Sequence, residues 1–187
     1  MSIGLGGAGS KLASLLDGGK AIVVDVSDTD LEKIEADKKM RAVVHSSRAQ
    51  MRGSRKDPII GREAFQSVKD KLQDLVKGDI VLCSTGGGTG NGLCSVLLEM
   101  LSENAAVDLV DKTVFVFILP YADLEASDFI DNTITFLEGP VSSAIDAGNT
   151  GNIVLFTNKT KFEKRIPEKE YNELLVTSLK FLPVAAI

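Results

Sequence analysis

The sequence predicts an α/β fold, a doubly wound and mostly parallel sheet with helices on both faces. Three observations predict it. Short apolar, β-branched runs lack the strict alternation of half-exposed strands, as expected of strands covered on both sides. Segments with apolar residues at helical spacing lie between those runs. Two glycine clusters stand at strand-to-helix junctions, where open sheets of this kind bind their ligands.

The strand candidates are Ala21 to Val26, Ile80 to Cys83, Val114 to Leu119 and Ile153 to Phe156, with Met40 to Val44 a weaker fifth. The chain begins so close to Gly4 that almost none of a strand is expected before it. Leu12, Leu15 and Leu16 predict a helix directly after Gly9. Ala64, Val68, Leu72 and Leu75 form one apolar face within a helix from Gly61 to Lys77. Leu93, Val96, Leu97, Met100 and Leu101 do the same after the second glycine cluster. A helix from Asp123 to Leu137 is expected to stop at Gly139-Pro140. Leu174, Leu175, Leu179 and Leu182 mark a last helix ending near Pro183. Repeats, low-complexity tracts and linkers are absent. Ser46 to Ile60 is the long irregular stretch, and it carries Arg48, Arg52, Arg55 and Lys56. It reads either as a solvated loop or as a loop that approaches an anion.

Composition narrows the function. The 187 residues are 44% hydrophobic and 25% charged, which suits one globular domain that folds without staples. The longest apolar run, Val114 to Leu119, is far shorter than the roughly 20 residues of a membrane span. No basic segment followed by an apolar stretch opens the chain, so a cytoplasmic location with no membrane partner is expected. A net charge of -5 argues against direct nucleic-acid binding. Two cysteines, Cys83 and Cys94, lack Cys-x-x-Cys spacing and read as small buried hydrophobes. The single histidine, His45, excludes His-based metal sites and makes a His-dependent triad improbable. Asp28/Asp30 and Asp128/Asp131 read as helix-start charges. No all-protein metal site is expected.

The glycine clusters carry the chemistry. The first is Gly4-Leu5-Gly6-Gly7-Ala8-Gly9-Ser10, the second Gly86-Gly87-Gly88-Thr89-Gly90-Asn91-Gly92. Each brings backbone N–H groups and the positive end of a helix to the C-terminal edge of the sheet, which suits phosphate. Gly4, Gly6 and Gly9 also satisfy G-x-G-x-x-G, with Asp25 ending the next strand where a ribose-binding acid belongs. That pattern supports an alternative, an NAD-binding oxidoreductase domain. It leaves the second cluster unexplained. A P-loop is excluded because Ser10-Lys11 follows Gly9 where Lys and then Ser or Thr are needed.

These residues resemble the tubulin/FtsZ superfamily of filament-forming GTPases. Residues 86–92 match its Gly-Gly-Gly-Thr-Gly signature except at Asn91, where a smaller residue is usual. Ile3 to Gly9 is similar to the FtsZ opening, and Lys20 to Met40 is FtsZ-like through Ala36-Asp37-Lys38-Lys39. Asp57-Pro58-Ile59-Ile60-Gly61 resembles the motif that closes the family's γ-phosphate loop. The resemblance implies that Gly6, Gly7 and Ala8 line the first phosphate loop. It implies that Gly87, Gly88, Thr89, Gly90 and Asn91 wrap the α- and β-phosphates of GTP or GDP. Glu125 falls at the ribose contact, and Asn158 and Asn172 at the guanine contacts. An Asn amide offers guanine both a donor and an acceptor, which adenine would mispair. Mg²⁺ would arrive with the nucleotide, held largely by phosphate and water.

The departures from the family are specific. Arg55 and Lys56 stand in a loop that is glycine-rich in FtsZ, where they could pair with phosphate. Phe129 replaces an Arg that follows the ribose Glu. Asp25 and Ser27 replace Asn and Asp, and Asp25 is counted among the nucleotide-binding residues. Such divergence is more like an outlying phage or plasmid member than a cell-division FtsZ. Residues 1–187 are expected to form the GTP-binding domain and the start of a core helix, without the second domain and its catalytic acid. No catalytic residue is expected in this chain. The expected partner is the protein itself, in a head-to-tail polymer whose hydrolysis a neighbouring subunit completes. An alternative is a non-catalytic GTP-binding cap or scaffold.

Overall fold

The computed structural model describes residues 1–44, 54–76, 79–103, 113–148 and 152–181. His45, Arg48, Arg52, Leu182 and Pro183 lie outside the described residues. The strands are β1 (Ser2–Leu5), β2 (Ile22–Asp25), β3 (Lys38–Arg41), β4 (Ile80–Ser84), β5 (Val114–Leu119) and β6 (Asn152–Thr157). All neighbours pair in parallel, in the spatial order β3-β2-β1-β4-β5-β6. The order reverses between β1 and β4, which makes their C-terminal ends the topological switch point.

Helices follow the strands: α1 (Gly6–Asp17), α2 (Asp28–Glu32), α3 (Pro58–Phe65), α4 (Lys69–Leu75) and α5 (Thr89–Glu103). After β5 come α6 (Ser127–Phe136) and α7 (Ser142–Asp146), and after β6 come α8 (Lys159–Glu163) and α9 (Glu168–Phe181). On one face of the sheet, α3, α4, α5 and α7 bury Phe65, Leu72, Leu97 and Ala144 against Ile3, Val24, Val81 and Phe117. On the other, α1 and α9 bury Leu12, Ala13, Leu175 and Leu179 against Leu82, Val116 and Ile118. Leu31 of α2, with Ile34, covers Val23 on that second side. Both layers are covered, which is why the central strands read as unbroken apolar runs. The doubly wound expectation holds. Cys83 and Cys94 are buried and unbridged, and burial beside Cys83 pushes the Cys94 thiol well up.

Several expectations are corrected. A first strand exists and is central: Gly4 is inside it, paired with Val23 on one side and Leu82 on the other. The first helix begins at Gly6, so the first glycine cluster is a strand end and a helix start rather than a loop. The weak strand runs over Lys38–Arg41, with Met40 alone turned into the core. The helix expected over Gly61 to Lys77 is broken into α3 and α4. At the break the Ser67 hydroxyl donates to Ala64 O at 2.8 Å and accepts the Val43 N–H at 2.8 Å, an alternative to helical bonding. Gly139-Pro140 does not stop α6. The backbone widens to a π turn over Leu137–Val141, which accommodates a residue with no N–H, and α7 continues directly. The turn is held by burial of Phe136, whose ring meets Phe117 edge-on at 5.0 Å. The short helices α2 and α8 carry no periodicity that a sequence reading could detect.

Candidate functional site: a glycine-walled cavity at the switch point

α1 starts at the end of β1 and packs on one face; α5 starts beyond β4 and packs on the other. Their N-termini therefore converge at the same edge of the sheet. The contact between them is bare backbone. Gly6 has φ +71°, and a Cβ there would lie 2.6 Å from the Gly90 nitrogen. No other residue type fits both the conformation and the approach. Among the described residues no side chain caps the α1 start. The Gly92 N–H donates to Gly88 O at 2.9 Å, so α5 also leaves its first N–H groups without helical partners. Two partial positive charges face one cavity of about 300 Å³.

Leu5, Gly6, Gly7, Ala8, Asp25, Asp30, Ser54, Lys56, Ser84, Gly87, Gly88, Thr89, Gly90 and Phe129 line that cavity. The structure thus brings together Gly6, Gly7, Ala8, Asp25, Lys56, Gly87, Gly88, Thr89 and Gly90, nine of the residues expected from the sequence. A Cβ at Gly87 would meet nothing within 4 Å, so its bareness leaves room for a ligand rather than for protein. Gly88 differs: a Cβ there would lie 2.2 Å from the Ser54 hydroxyl, because residues 54–57 lie directly on it.

The Asn91 side chain is buried and does not line the cavity. Its Nδ2 donates to Thr85 O at 2.6 Å and to Asn132 O at 3.1 Å, and its Oδ1 accepts from Ser95 Oγ at 3.3 Å. The amide stitches the second glycine turn to α6, which leaves only its backbone N–H for a phosphate. Arg55 is exposed and does not line the cavity. Glu125 and Asn158 form a pair over the ends of β5 and β6. Glu125 accepts the Tyr121 N–H at 2.6 Å and the Asn158 amide at 3.1 Å. Neither lines the phosphate-sized cavity. Asn172 lies apart, on a separate cavity of about 790 Å³ shared with Lys11, Lys33, Glu35 and Glu168. The Lys11 ammonium is held there by Glu168 at 2.8 Å, which lowers the Glu168 pKa.

Asp25 is the site's unusual group. It is 2% exposed at the end of β2. Its Oδ1 accepts the Ser27 N–H at 3.1 Å, and among the described residues its Oδ2 has no hydrogen-bond partner. A Cβ on Gly7 would lie 3.7 Å from that Oδ2, so the orphan oxygen faces the first glycine turn. Burial, partly opposed by the Ser27 N–H and reinforced by Asp30, raises its pKa to about 6. Asp30 and Asn132 were missed as site residues. Asp30 was legible only as a helix-start acid; nothing in the sequence pattern singled out Asn132, whose Nδ2 bridges Lys56 O and Gly86 O at 2.9 Å each.

A six-stranded parallel sheet with two opposed helix starts at its switch point defines an α/β protein built around an anion cradle. Comparison with known proteins makes the class specific. The model of the Tubulin/FtsZ family, GTPase domain, matches residues 1–144. The chain belongs to the Tubulin/FtsZ family. Cell division protein FtsZ 2 of Methanocaldococcus jannaschii is 31% identical over 134 residues, 67% of this chain and 34% of that protein. The tubulin-like protein TubZ of Bacillus cereus is 27% identical over 173 residues, 87% of this chain and 38% of that protein. Among solved structures, an empty FtsZ dimer from M. jannaschii matches with a TM-score of 0.74 at 26% identity, covering 97% of this chain and 53% of that one. CetZ2 of Haloferax volcanii, a GTPγS-bound protofilament, matches with a TM-score of 0.76 at 23% identity. That match covers 98% of this chain and 57% of the other, and it speaks for the fold alone. The chain spans 34% to 57% of the length of these relatives.

The family resemblance implies Mg²⁺ with the nucleotide. Among the described residues no group of three or more His, Cys, Asp or Glu side chains could hold a metal alone. The orphan Asp25 oxygen, with Asp30 beside it, nevertheless fits a hard dication that takes its remaining ligands from phosphate and water. Without such a cation, two acids on the lining would repel a polyphosphate. Among the described residues no helix is long and apolar enough to cross a membrane.

Proposed function

We propose that this chain is the GTP-binding part of a cytoplasmic, self-assembling filament protein of the Tubulin/FtsZ family. The observation that carries the proposal is the convergence of two helix starts on one glycine-walled cavity. Backbone N–H groups of Gly6, Gly7 and Ala8 take one part of the polyphosphate; those of Gly87, Gly88, Thr89, Gly90 and Asn91 take the other. The Thr89 hydroxyl adds a donor. Asp25 and Asp30 would hold the Mg²⁺ that neutralises the phosphates. Glu125 binds the ribose and orients Asn158, whose amide nitrogen it occupies. The remaining Asn158 oxygen is an acceptor for guanine N1–H or N2–H. Asn172 is the second candidate base contact. The cavity walls position and neutralise, and a group from a neighbouring subunit completes hydrolysis. A head-to-tail contact that supplies it generates an open filament. The net charge of -5 disfavours nucleic acid, and the proposed partner is another copy of the chain.

Calorimetric titration with GTP, GDP, ATP and NAD at fixed Mg²⁺ tests the proposal. Guanine nucleotides binding well above the others support it. Binding of NAD with no guanine preference would restore the dinucleotide alternative. Thr89→Ala, Asn158→Ala and Asn172→Ala then separate phosphate from base contacts, and GTP-dependent sedimentation tests assembly.

A further inference from the structure

One residue of α6 holds the second glycine turn at both ends. The Asn132 amide donates one hydrogen to Gly86 O and the other to Lys56 O, at 2.9 Å each. Its main-chain oxygen accepts from the Asn91 amide at 3.1 Å. Gly86 opens the turn and Asn91 closes it, so Asn132 meets the turn's first carbonyl and its last side chain. Neighbours on α6 add two contacts. A Cβ at Gly86 would lie 2.8 Å from Phe129 Cδ1, and the Thr85 and Thr133 hydroxyls meet at 2.8 Å.

The turn depends on such support from outside. Gly86, Gly87 and Gly88 follow one another without side chains, and glycine loses more freedom on folding than any other residue. Among the described residues a Cβ at Gly87 would meet nothing within 4 Å, so packing does not fix that residue. Its orientation matters to an anion. A peptide unit is planar and trans, so its C=O and the N–H that follows point opposite ways. With Gly86 O held on α6, the Gly87 N–H points away from α6, to the side where Gly87 lines the cavity. The flipped Gly86–Gly87 peptide, which two glycines permit, presents a carbonyl oxygen there instead and repels an anion. Holding the carbonyls of Gly86 and Lys56 together takes two hydrogens on one atom. An amide nitrogen has them; a hydroxyl has one and a carboxylate none.

We infer that Asn132 is a positioning residue, which fixes the Gly86–Gly87 peptide so that the Gly87 N–H faces a bound polyphosphate. This rests on the reading of the cavity as a nucleotide site. Asn132 does not itself line the cavity. It acts through the fraction of molecules whose turn is ready for the anion, and apparent affinity scales with that fraction.

The test is calorimetric titration with GDP and with a non-hydrolysable GTP analogue at fixed Mg²⁺, joined to amide NMR spectra of the unliganded proteins. Asn132→Ala is expected to weaken both nucleotides about tenfold, the scale of two neutral hydrogen bonds. It should also shift or broaden the Gly87 and Gly88 amide resonances. Alanine is the better helix former, so the change does not weaken α6 itself. Phe136→Leu is the control. It loosens α6 against Phe117 without touching the turn, and should lower the melting temperature and leave both affinities unchanged. A merely structural Asn132 would lower the melting temperature and leave the affinities and the glycine resonances as they are. That outcome overturns the inference, as does equal weakening by Phe136→Leu. Should Asn132→Ala fail to fold, Asn132→Leu, of similar size and with no hydrogen to donate, decides in its place. If the wild-type chain binds neither nucleotide, the nucleotide reading falls, and this inference with it. Binding by wild type with no loss in either Asn132 variant rejects this inference only.

Discussion

Asp25→Asn should change how stability depends on pH, by an amount the structure sets. The Asp25 pKa rises from 3.8 to about 6 on folding, chiefly through burial. Below about pH 4 both the folded and the unfolded chain hold the proton, and Asp25 contributes nothing to the difference. Between about pH 4 and 6 the unfolded chain ionises while the folded chain resists. Stability is therefore lost as pH rises through this window, and the loss stays constant above it. At 1.36 kcal/mol per unit the full loss is about 3 kcal/mol. The asparagine variant has no proton to lose, so its stability relative to wild type should climb by about 3 kcal/mol between pH 4 and 7. Urea unfolding of both proteins at unit pH intervals, without nucleotide, measures this directly. Parallel stability profiles would refute the reasoning, because they would mean that the Asp25 carboxylate is solvated or partnered in the folded chain. A second arm asks what the penalty is for. With Mg²⁺ and GTP present, wild type should regain the difference and the variant should regain less, because a neutral amide holds a dication more weakly than a carboxylate.

Gly88→Ala places a methyl 2.2 Å from the Ser54 hydroxyl and 2.5 Å from the Asp57 backbone nitrogen, so the main chain at Asp57 must shift. It should cost about 1–3 kcal/mol in urea unfolding and weaken triphosphate binding by displacing residues 54–57. Phe136→Ala empties the edge-on contact with Phe117 and should lose about 3–5 kcal/mol, with the π turn at Pro140 loosened in hydrogen exchange. Arg62→Ala is the contrasting case. Its two hydrogen bonds to Glu99, at 2.9 and 2.8 Å, are well formed but join side chains that are 40% and 39% exposed. A loss above about 1 kcal/mol would show that this pair is worth more than its exposure allows.

The central sheet was legible because burial on both faces leaves a chemical trace: Val114 to Leu119 has no polar residue to alternate with. The glycine cavity was legible for a related reason, since backbone sites demand an absence of side chains and absence shows in sequence. What failed to show were contacts made by ordinary residues. Asn91 looked like one more phosphate neighbour, yet its amide serves Thr85, Asn132 and Ser95. Asn132 has no sequence signal because its partners are carbonyls 46 and 76 positions away. Element ends slipped where a side chain outweighed periodicity, as at Ser67. At Pro140 the error was of another kind: the backbone had a wider turn available than the rule for proline assumes. Asn172 followed from resemblance alone, and the structure sets it on a different cavity from the glycines.

The junction of Gly6 with Gly90 has a consequence for how the chain unfolds. It joins α1, which belongs to one helical layer, to α5, which belongs to the other, across the edge of the sheet. With no side chains to interlock, this joint has little cohesion of its own. An anion bound between the two helix ends would act as the missing bolt, tying both layers to a single event. At a free ligand concentration a hundredfold above its dissociation constant, that bolt is worth about 2.7 kcal/mol to the folded state. The two layers would then come apart together when the ligand is present and separately when it is gone. Proteolytic susceptibility of α1 and α5 should therefore rise in step with urea while nucleotide is bound, and diverge once it is withdrawn.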